Sequence, residues 1–281
     1  MQIKKIAVAG AGAMGSGIAQ VAARAGFEVV LYDISTAQVA KALDTITAQL
    51  DKLVEKGQLT EAERERTLDR LSTTTDPGQL VADLVIEAII EKLELKRELF
   101  QHLERINSPS AILASNTSSF AITRLAVGMQ HPQRIAGLHF FNPAPVMKLV
   151  EVIKGTETTD ETLQSLRMVA EQMGKTVVMC QDSPGFIVNR VARHYYVESL
   201  KILEERVASH EQIDALMEAT GFRMGPFRLM DMIGMDVNYA VTESLFEAFH
   251  YDPKFRPSRI QQQKVTAGHL GRKTGKGFYQ Y

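Results

Sequence analysis

His139 and Glu151 stand twelve residues apart in the stretch GLHFFNPAPVMKLVEV, the histidine closing one apolar run and the glutamate interrupting the next. On its own, a histidine at a strand end is most simply a hydrogen-bonded structural residue. Its surroundings suggest more. The turn residues Asn142-Pro143-Ala144-Pro145 fit a reversal between neighbouring strands, and antiparallel pairing of those strands would let the two side chains meet. An imidazole that donates one ring N–H to a carboxylate is held in one tautomer and its cation is stabilised, which turns it into a better general base. The carboxylate has its own need of such a partner, because unpaired burial in an apolar strand is costly.

A second constellation lies near the start of the chain. An apolar, β-branched run, Ile3 to Ala9, leads into Gly10-Ala11-Gly12-Ala13-Met14-Gly15 and then into a helical pattern with Ile18, Val21, Ala22 and Ala25 on one face. This is the strand, Gly-rich turn and helix of a dinucleotide site. Gly10 permits the turn, Gly12 lets a pyrophosphate approach the backbone, and Gly15 lets helix and strand pack closely. Gly26 ends the helix, Glu28 to Tyr32 forms a second strand, and Asp33 stands at its end. A carboxylate there accepts both ribose hydroxyls of an adenosine and repels a 2′-phosphate. With Ile34-Ser35-Thr36 following and no arginine, the cofactor expected is NAD rather than NADP. The simpler alternative for Asp33 is a cap on the next helix.

These residues need a scaffold, and the alternation of patterns supplies one. Thr36 to Leu71 reads as two helices broken at Gly57, with Thr60 and Glu63 spaced as a capping box, a helical hairpin inserted into the crossover. Lys52 and Lys56 share a face of it, either as a solvated surface or as contacts to an anionic part of a substrate. Leu84 to Ala88 then reads as a buried strand, Leu93 to Ile106 as a helix, Ala111 to Ala114 as a strand and Ser115 to Ser119 as a polar turn. In a doubly wound sheet the ligand crevice lies outside the carboxyl ends of the strands, and Glu91, Lys96, Ser118 and His139 are expected at or just beyond such ends. Lys148 to Ile153, a helix near 160–173 and Thr176 to Met179 continue the pattern. From 186 to 250 it is helical, interrupted at 221–226 and at Gly234. Asn189, the polar residue of Phe186-Ile187-Val188-Asn189, is either an internal brace or a substrate ligand. The fold class expected is therefore α/β: a Rossmann-type doubly wound sheet with a helical-hairpin insertion over residues 1–183, followed by an all-α C-terminal domain over 184–281.

Composition sets limits on partners. A formal net charge of −1 gives no broad electrostatic footprint for nucleic acid or an acidic membrane, so an anionic ligand must be held by local charges. The single cysteine, Cys180, rules out an internal disulfide framework, fits a reducing compartment and reads as a small buried hydrophobe. The opening MQIKKIAVAGAG runs directly into a strand and no apolar stretch of about 18 residues occurs, so the expectation is a cytoplasmic protein.

Taken together, GAGAMGSGIAQVAA, IEAIIEKLELK, SNTSS, GLHFFNPAPVMKLVEV, DSPGFIVNR, MGPFRLMDMIGMD and the terminal GRKTGKGFYQY resemble the 3-hydroxyacyl-CoA dehydrogenases, in the same order from residue 3 to 281 and especially in their short single-chain form. The resemblance implies NAD-dependent, reversible oxidation of an (S)-3-hydroxyacyl-CoA to its 3-oxoacyl-CoA, with no metal. It implies His139 as base and Glu151 as its acidic partner, with Ser118 and Asn189 holding the substrate oxygen. Asp33 matches the adenosine-ribose ligand, and Gly10, Gly12, Ala13, Met14, Gly15, Glu91, Lys96, Ser118, Asn142 and Lys273 match the surroundings of NAD. Lys56 matches a contact to coenzyme A, although Gln49 stands where relatives carry serine and puts the detail of that contact in doubt. A homodimer through the C-terminal helices is also implied. Two alternatives remain at this level: a short-chain 3-hydroxyacid dehydrogenase with a catalytic lysine, against which the HFFNP and LVEV pair speaks, and a crystallin-like relative that has kept the fold without the activity.

Overall fold

Strand β1 (Lys5–Ala9) is buried along its apolar residues and lies between β2 (Glu28–Tyr32) and β4 (Leu84–Glu87), both parallel to it. In this computed structural model, which describes residues 2–281, the strands form an eight-stranded sheet in the order β3-β2-β1-β4-β5-β6-β7-β8. β3 is Leu71–Thr74, β5 Ile112–Ser115, β6 Ile135–Phe140, β7 Leu149–Lys154 and β8 Thr176–Gln181. All neighbours pair in parallel except β6 and β7, which run antiparallel with His139 opposite Glu151. The central strands are apolar up to their carboxyl ends, where Glu87, Ser115 and His139 stand, because both faces of the sheet are covered.

The covering helices follow the sequence signals closely. α1 (Ala13–Arg24) turns Ile18, Ala19 and Ala22 into the core. The inserted hairpin is α2 (Thr36–Glu55), capped by Ser35, and α3 (Glu61–Asp69), whose Thr60–Glu63 capping box is fully formed; Gly57, at φ +66°, lies between them. α4 (Leu93–Ile106), α5 (Ile122–Ala126) and α6 (Asp160–Gln172) complete this part of the chain, Met1–Ser183, which is one of two compact units.

The hairpin ends earlier than its periodicity predicts. Leu71 begins β3, which extends the sheet beyond β2, and the half-exposed residues of this edge strand gave it no apolar run to read. Lys96 is not at a strand end either: it lies one turn inside α4 and is buried. Cys180, expected in the core, is only half-buried on β8, the edge strand opposite β3.

The second unit, Pro184–Tyr281, holds α7 (Val188–Glu204), α8 (His210–Ala219), α9 (Pro226–Ile233), α10 (Met235–Ala248) and α11 (Arg259–Thr266). α7 and α8 are separate helices, broken where Arg206 takes φ +59° and restarted by a capping box from Ser209 and Gln212, although the sequence pattern runs through this point. Asp214 on α8 is wholly buried and caps α9 from outside: its carboxylate accepts N–H bonds from Phe227 (2.9 Å) and Arg228 (3.0 Å) and the hydroxyl of Tyr279 (2.8 Å). Asp231 similarly accepts the backbone N–H groups of Phe278 and Tyr279 at 2.9 Å each, pinning the terminal segment. Among the described residues no helix is long and apolar enough to cross a membrane.

Candidate active site

The chain leaves β1 for β2 and β3 and then returns to β4 on the other side of β1, so the switch point of the sheet lies between β1 and β4. A crevice opens there at the carboxyl ends of the strands. Its glycines are dictated by space. A Cβ on Gly10, which adopts φ +106°, would fall 2.5 Å from the carbonyl oxygen of Ala88, and one on Gly15 would fall 1.7 Å from that of Gly10. Gly12 is different: a Cβ there meets nothing within 4 Å, so its backbone faces open space. Gly12 also supplies the N-cap of α1 without a side-chain cap, and Ala13 and Met14 open a first turn that contains no acid. An uncapped helix N-terminus beside open space is an anion site by construction.

The Gly-rich turn is held from the second βα unit. Ala11 donates its N–H to Asp33 Oδ2 (3.0 Å) and its carbonyl accepts from Gln38 Nε2 (2.9 Å). Asp33 also accepts the N–H of Ser35, but the cap of α2 is Ser35 itself, so Asp33 is not the helix cap. A cleft of about 590 Å³ adjoins, lined by Gly12 and Asp33 and walled by the side chains of Ile34, Ile89, Ile90 and Leu95. Ile34 and Ile90 are exposed. The combination of an uncapped helix, an open glycine, a carboxylate and two apolar walls fits the pyrophosphate, ribose and flat base of a dinucleotide.

Across the switch point a buried polar network joins the loops that follow β4 and β5. Glu87 and Lys96 are 0% and 1% exposed and their charged atoms are 2.5 Å apart. Glu87 also accepts from the backbone of Ile89 (2.8 Å) and from Ser115 Oγ (2.6 Å). Lys96 Nζ reaches Glu91 at 3.0 Å, and the other oxygen of Glu91 accepts from Thr117 Oγ1, from Ser119 Oγ (2.7 Å) and from the N–H of Ser118 (3.3 Å). Burial pushes the Glu91 carboxyl up, and Lys96 with the two hydroxyls more than reverses that, holding it below the usual range. Burial dominates at Glu87 and raises it, against the opposition of Lys96 and Ser115.

His139 sits at the same edge of the sheet, at the carboxyl end of β6, and is nearly buried. Its Nδ1 lies 2.8 Å from Glu151 Oε2, and Glu151 is 1% exposed. Phe141 packs on the imidazole with ring centroids 4.6 Å apart, and the N–H of Phe140 is bonded to Asn116 Oδ1 (2.8 Å), which couples the histidine's strand to the loop carrying Ser118. Asn142 follows on an exposed turn whose Ala144 and Pro145 pack against Gly17 of α1.

The remaining residues singled out by sequence belong to other elements. Lys56 is the exposed C-cap of α2, with Lys52 and Gln49 exposed on the same helix. In the second unit, Asn189 is half-buried in the first turn of α7, and Lys273 is ion-paired at 2.6 Å with Asp236 at the start of α10. Sequence reading passed over Glu87, Gln38 and Thr117. Glu87 carried the signal that exposed Glu151, a carboxylate inside an apolar strand; Gln38 and Thr117 carried none.

Comparison with known proteins identifies the family of the chain. Residues 5–183 match the family model described as 3-hydroxyacyl-CoA dehydrogenase, NAD binding domain, and residues 185–281 match the 3-hydroxyacyl-CoA dehydrogenase C-terminal domain. The chain is 50% identical to a 3-hydroxyadipyl-CoA dehydrogenase of Escherichia coli over its whole length, spanning 60% of that protein. It is 43% identical to a 3-hydroxybutyryl-CoA dehydrogenase of Bradyrhizobium diazoefficiens, covering 99% of this chain and 96% of that one. The crystal structure of an (S)-3-hydroxybutyryl-CoA dehydrogenase from Ralstonia eutropha superposes with a TM-score of 0.96 at 42% identity, covering 100% and 99% of the two chains.

Proposed function

Because this chain belongs to the 3-hydroxyacyl-CoA dehydrogenases, oxidoreductases that use NAD on a CH–OH group, we propose that it oxidises (S)-3-hydroxybutyryl-CoA to acetoacetyl-CoA, reversibly, with His139 as the general base. The observation that carries this reading is the buried Nδ1–carboxylate bond of 2.8 Å between His139 and Glu151, at the strand edge where the dinucleotide crevice opens.

NAD, when bound, supplies the acceptor for the hydride of C3. The turn Gly10 to Gly15 would hold its pyrophosphate and Asp33 its adenosine ribose, and by the family resemblance Glu91, Lys96, Asn142 and Lys273 would surround the rest. His139 takes the hydroxyl proton through Nε2, since Nδ1 is engaged with Glu151. Glu151 offsets the charge created on the ring and fixes its orientation. Ser118 and Asn189 donate to the substrate oxygen as its charge changes, and Lys56 attracts the phosphates of coenzyme A. The Ser118, Asn142, Asn189, Lys273 and Lys56 assignments follow the family resemblance. We assign substrate binding and homodimer formation to the helical unit and a cytoplasmic location to the protein.

The E. coli relative named for 3-hydroxyadipyl-CoA favours a second reading, in which the acyl chain ends in a carboxylate. The test is NADH formation from NAD with (S)-3-hydroxybutyryl-CoA, its (R) isomer, (S)-3-hydroxyadipyl-CoA and free 3-hydroxybutyrate. The proposal requires turnover of the first, with the highest kcat/KM of the four. Preference for the adipyl thioester would select the second reading, and preference for the free acid would remove the coenzyme A assignment.

A further inference from the structure

We propose that Glu87, through Lys96, is a positioning residue for Glu91 and so for the bound dinucleotide. This deepens the reading of the chain as an NAD-dependent dehydrogenase and rests on it.

Burying a charge pair is costly. Glu87 and Lys96 are sealed from solvent at the end of a strand buried on both faces. A pair of that kind is weak evidence for stability, because well-packed apolar residues of similar volume often serve as well or better. A role beyond stability has to be sought in what the pair holds, and its connections run in one direction. Every described bond of the Glu87 carboxylate is made to Lys96, to Ile89 in the loop after β4, or to Ser115 at the end of β5. Ser115 Oγ in turn accepts the N–H of Thr117 (3.2 Å), and the N–H of Asn116 bonds to the carbonyl of Glu87 (2.8 Å). Glu87 thereby ties together the two loops that carry Glu91 and Ser118.

Lys96 finishes the construction. Its ammonium is shared between Glu87 at 2.5 Å and Glu91 at 3.0 Å, so one cation is stretched between a buried carboxylate and one that is partly exposed in the loop after β4. With Thr117 and Ser119 on its other oxygen, Glu91 is clamped from both sides. Without the anchoring charge of Glu87, the ammonium would be free to move wholly onto Glu91 or toward any anion in the crevice, and Glu91 would lose its fixed direction. Lys96 acts in this arrangement as a strut.

The experiment measures NAD affinity by calorimetry, and kcat and both KM values, for E87Q, E91Q and the double variant, with melting temperature as the folding control. Glutamine keeps the shape of Glu87 and removes the charge. The expected result is a rise in the Kd and KM for NAD of about tenfold in E87Q, while the KM for the thioester stays within about twofold. Because Glu87 works through Glu91, E87Q should add little to E91Q in the double variant. A folded E87Q that binds NAD like wild type, or a double variant whose losses simply multiply, overturns the proposal, as does a rise of both KM values together with a fall in melting temperature, which marks a merely structural role. If E87Q fails to fold, E87Q/K96M removes both buried charges. The same NAD defect is then expected, and restored NAD affinity overturns the proposal. A wild-type protein that binds NAD but leaves the thioester untouched would refute the substrate assignment while this cycle remained readable.

Discussion

Glu151→Gln separates the charge of the carboxylate from its shape. The native oxygen lies 2.8 Å from His139 Nδ1 and the glutamate is 1% exposed, so bulk water contributes little screening. For unit charges centred about 4 Å apart and an effective dielectric of about 20, the attraction between an imidazolium and this carboxylate is about 4 kcal/mol. Glutamine can still offer its amide oxygen to the same ring N–H, so part of the interaction survives and a loss of about 2–3 kcal/mol is expected. At about 1.4 kcal/mol per decade this is a fall of about 10²-fold in kcat. Because Glu151 is assigned to the proton transfer and not to holding substrate, kcat and kcat/KM should fall together, with NAD affinity unchanged. The assay is steady-state NADH formation at saturating NAD across a range of thioester concentrations, paired with calorimetric NAD binding. A variant within about threefold of wild-type kcat would refute the electrostatic argument, and a loss confined to KM would assign Glu151 to substrate binding.

The thiol of Cys180 is pushed up to about 12 by burial, with Glu151 and Asp182 adding to the effect. Alkylation near pH 8 should therefore run on the order of 10³-fold slower than for a free cysteine, and labelling at the ordinary rate contradicts this. Asp214→Ala strips three bonds from the buried cap of α9 and should destabilise the helical unit by about 3–5 kcal/mol. Denaturation followed by the near-ultraviolet circular dichroism of the tyrosines measures it, and a loss below about 1 kcal/mol denies Asp214 that role. Glu91 is held below the usual carboxylate range in the folded chain. A depressed value stabilises the fold above the unfolded value of about 4.3 and is lost as pH falls through the folded one, so wild type should lose more melting temperature than Glu91→Gln between about pH 5 and 3. Parallel declines would contradict the assigned direction.

The backbone demands of the dinucleotide turn were legible in the sequence, because Gly10 and Gly15 leave room for no other residue and Asp33 follows at the end of the next strand. The same holds for the pairing of His139 with Glu151, which needed only two strands, a turn and a carboxylate that could not be buried alone. Other features depended on tertiary context. Leu71 completes a helical period and also opens an edge strand, and only the availability of β2 decides between them. Lys96 has the spacing of an ordinary surface lysine, and its burial follows from two carboxylates brought together by the fold. Arg206 breaks the run between α7 and α8 in a left-handed conformation that its residue type does not announce, although the Ser209–Gln212 capping box just beyond was there to be read.

The most direct test of the central claim is a single-turnover experiment on His139→Gln with NAD already bound. Mixed with (S)-3-hydroxybutyryl-CoA, wild type should form NADH in a rapid first turnover. The variant should bind NAD equally well and form NADH about 10²–10⁴-fold more slowly. A first turnover in the variant as fast as in wild type would show that the proton leaves by another route.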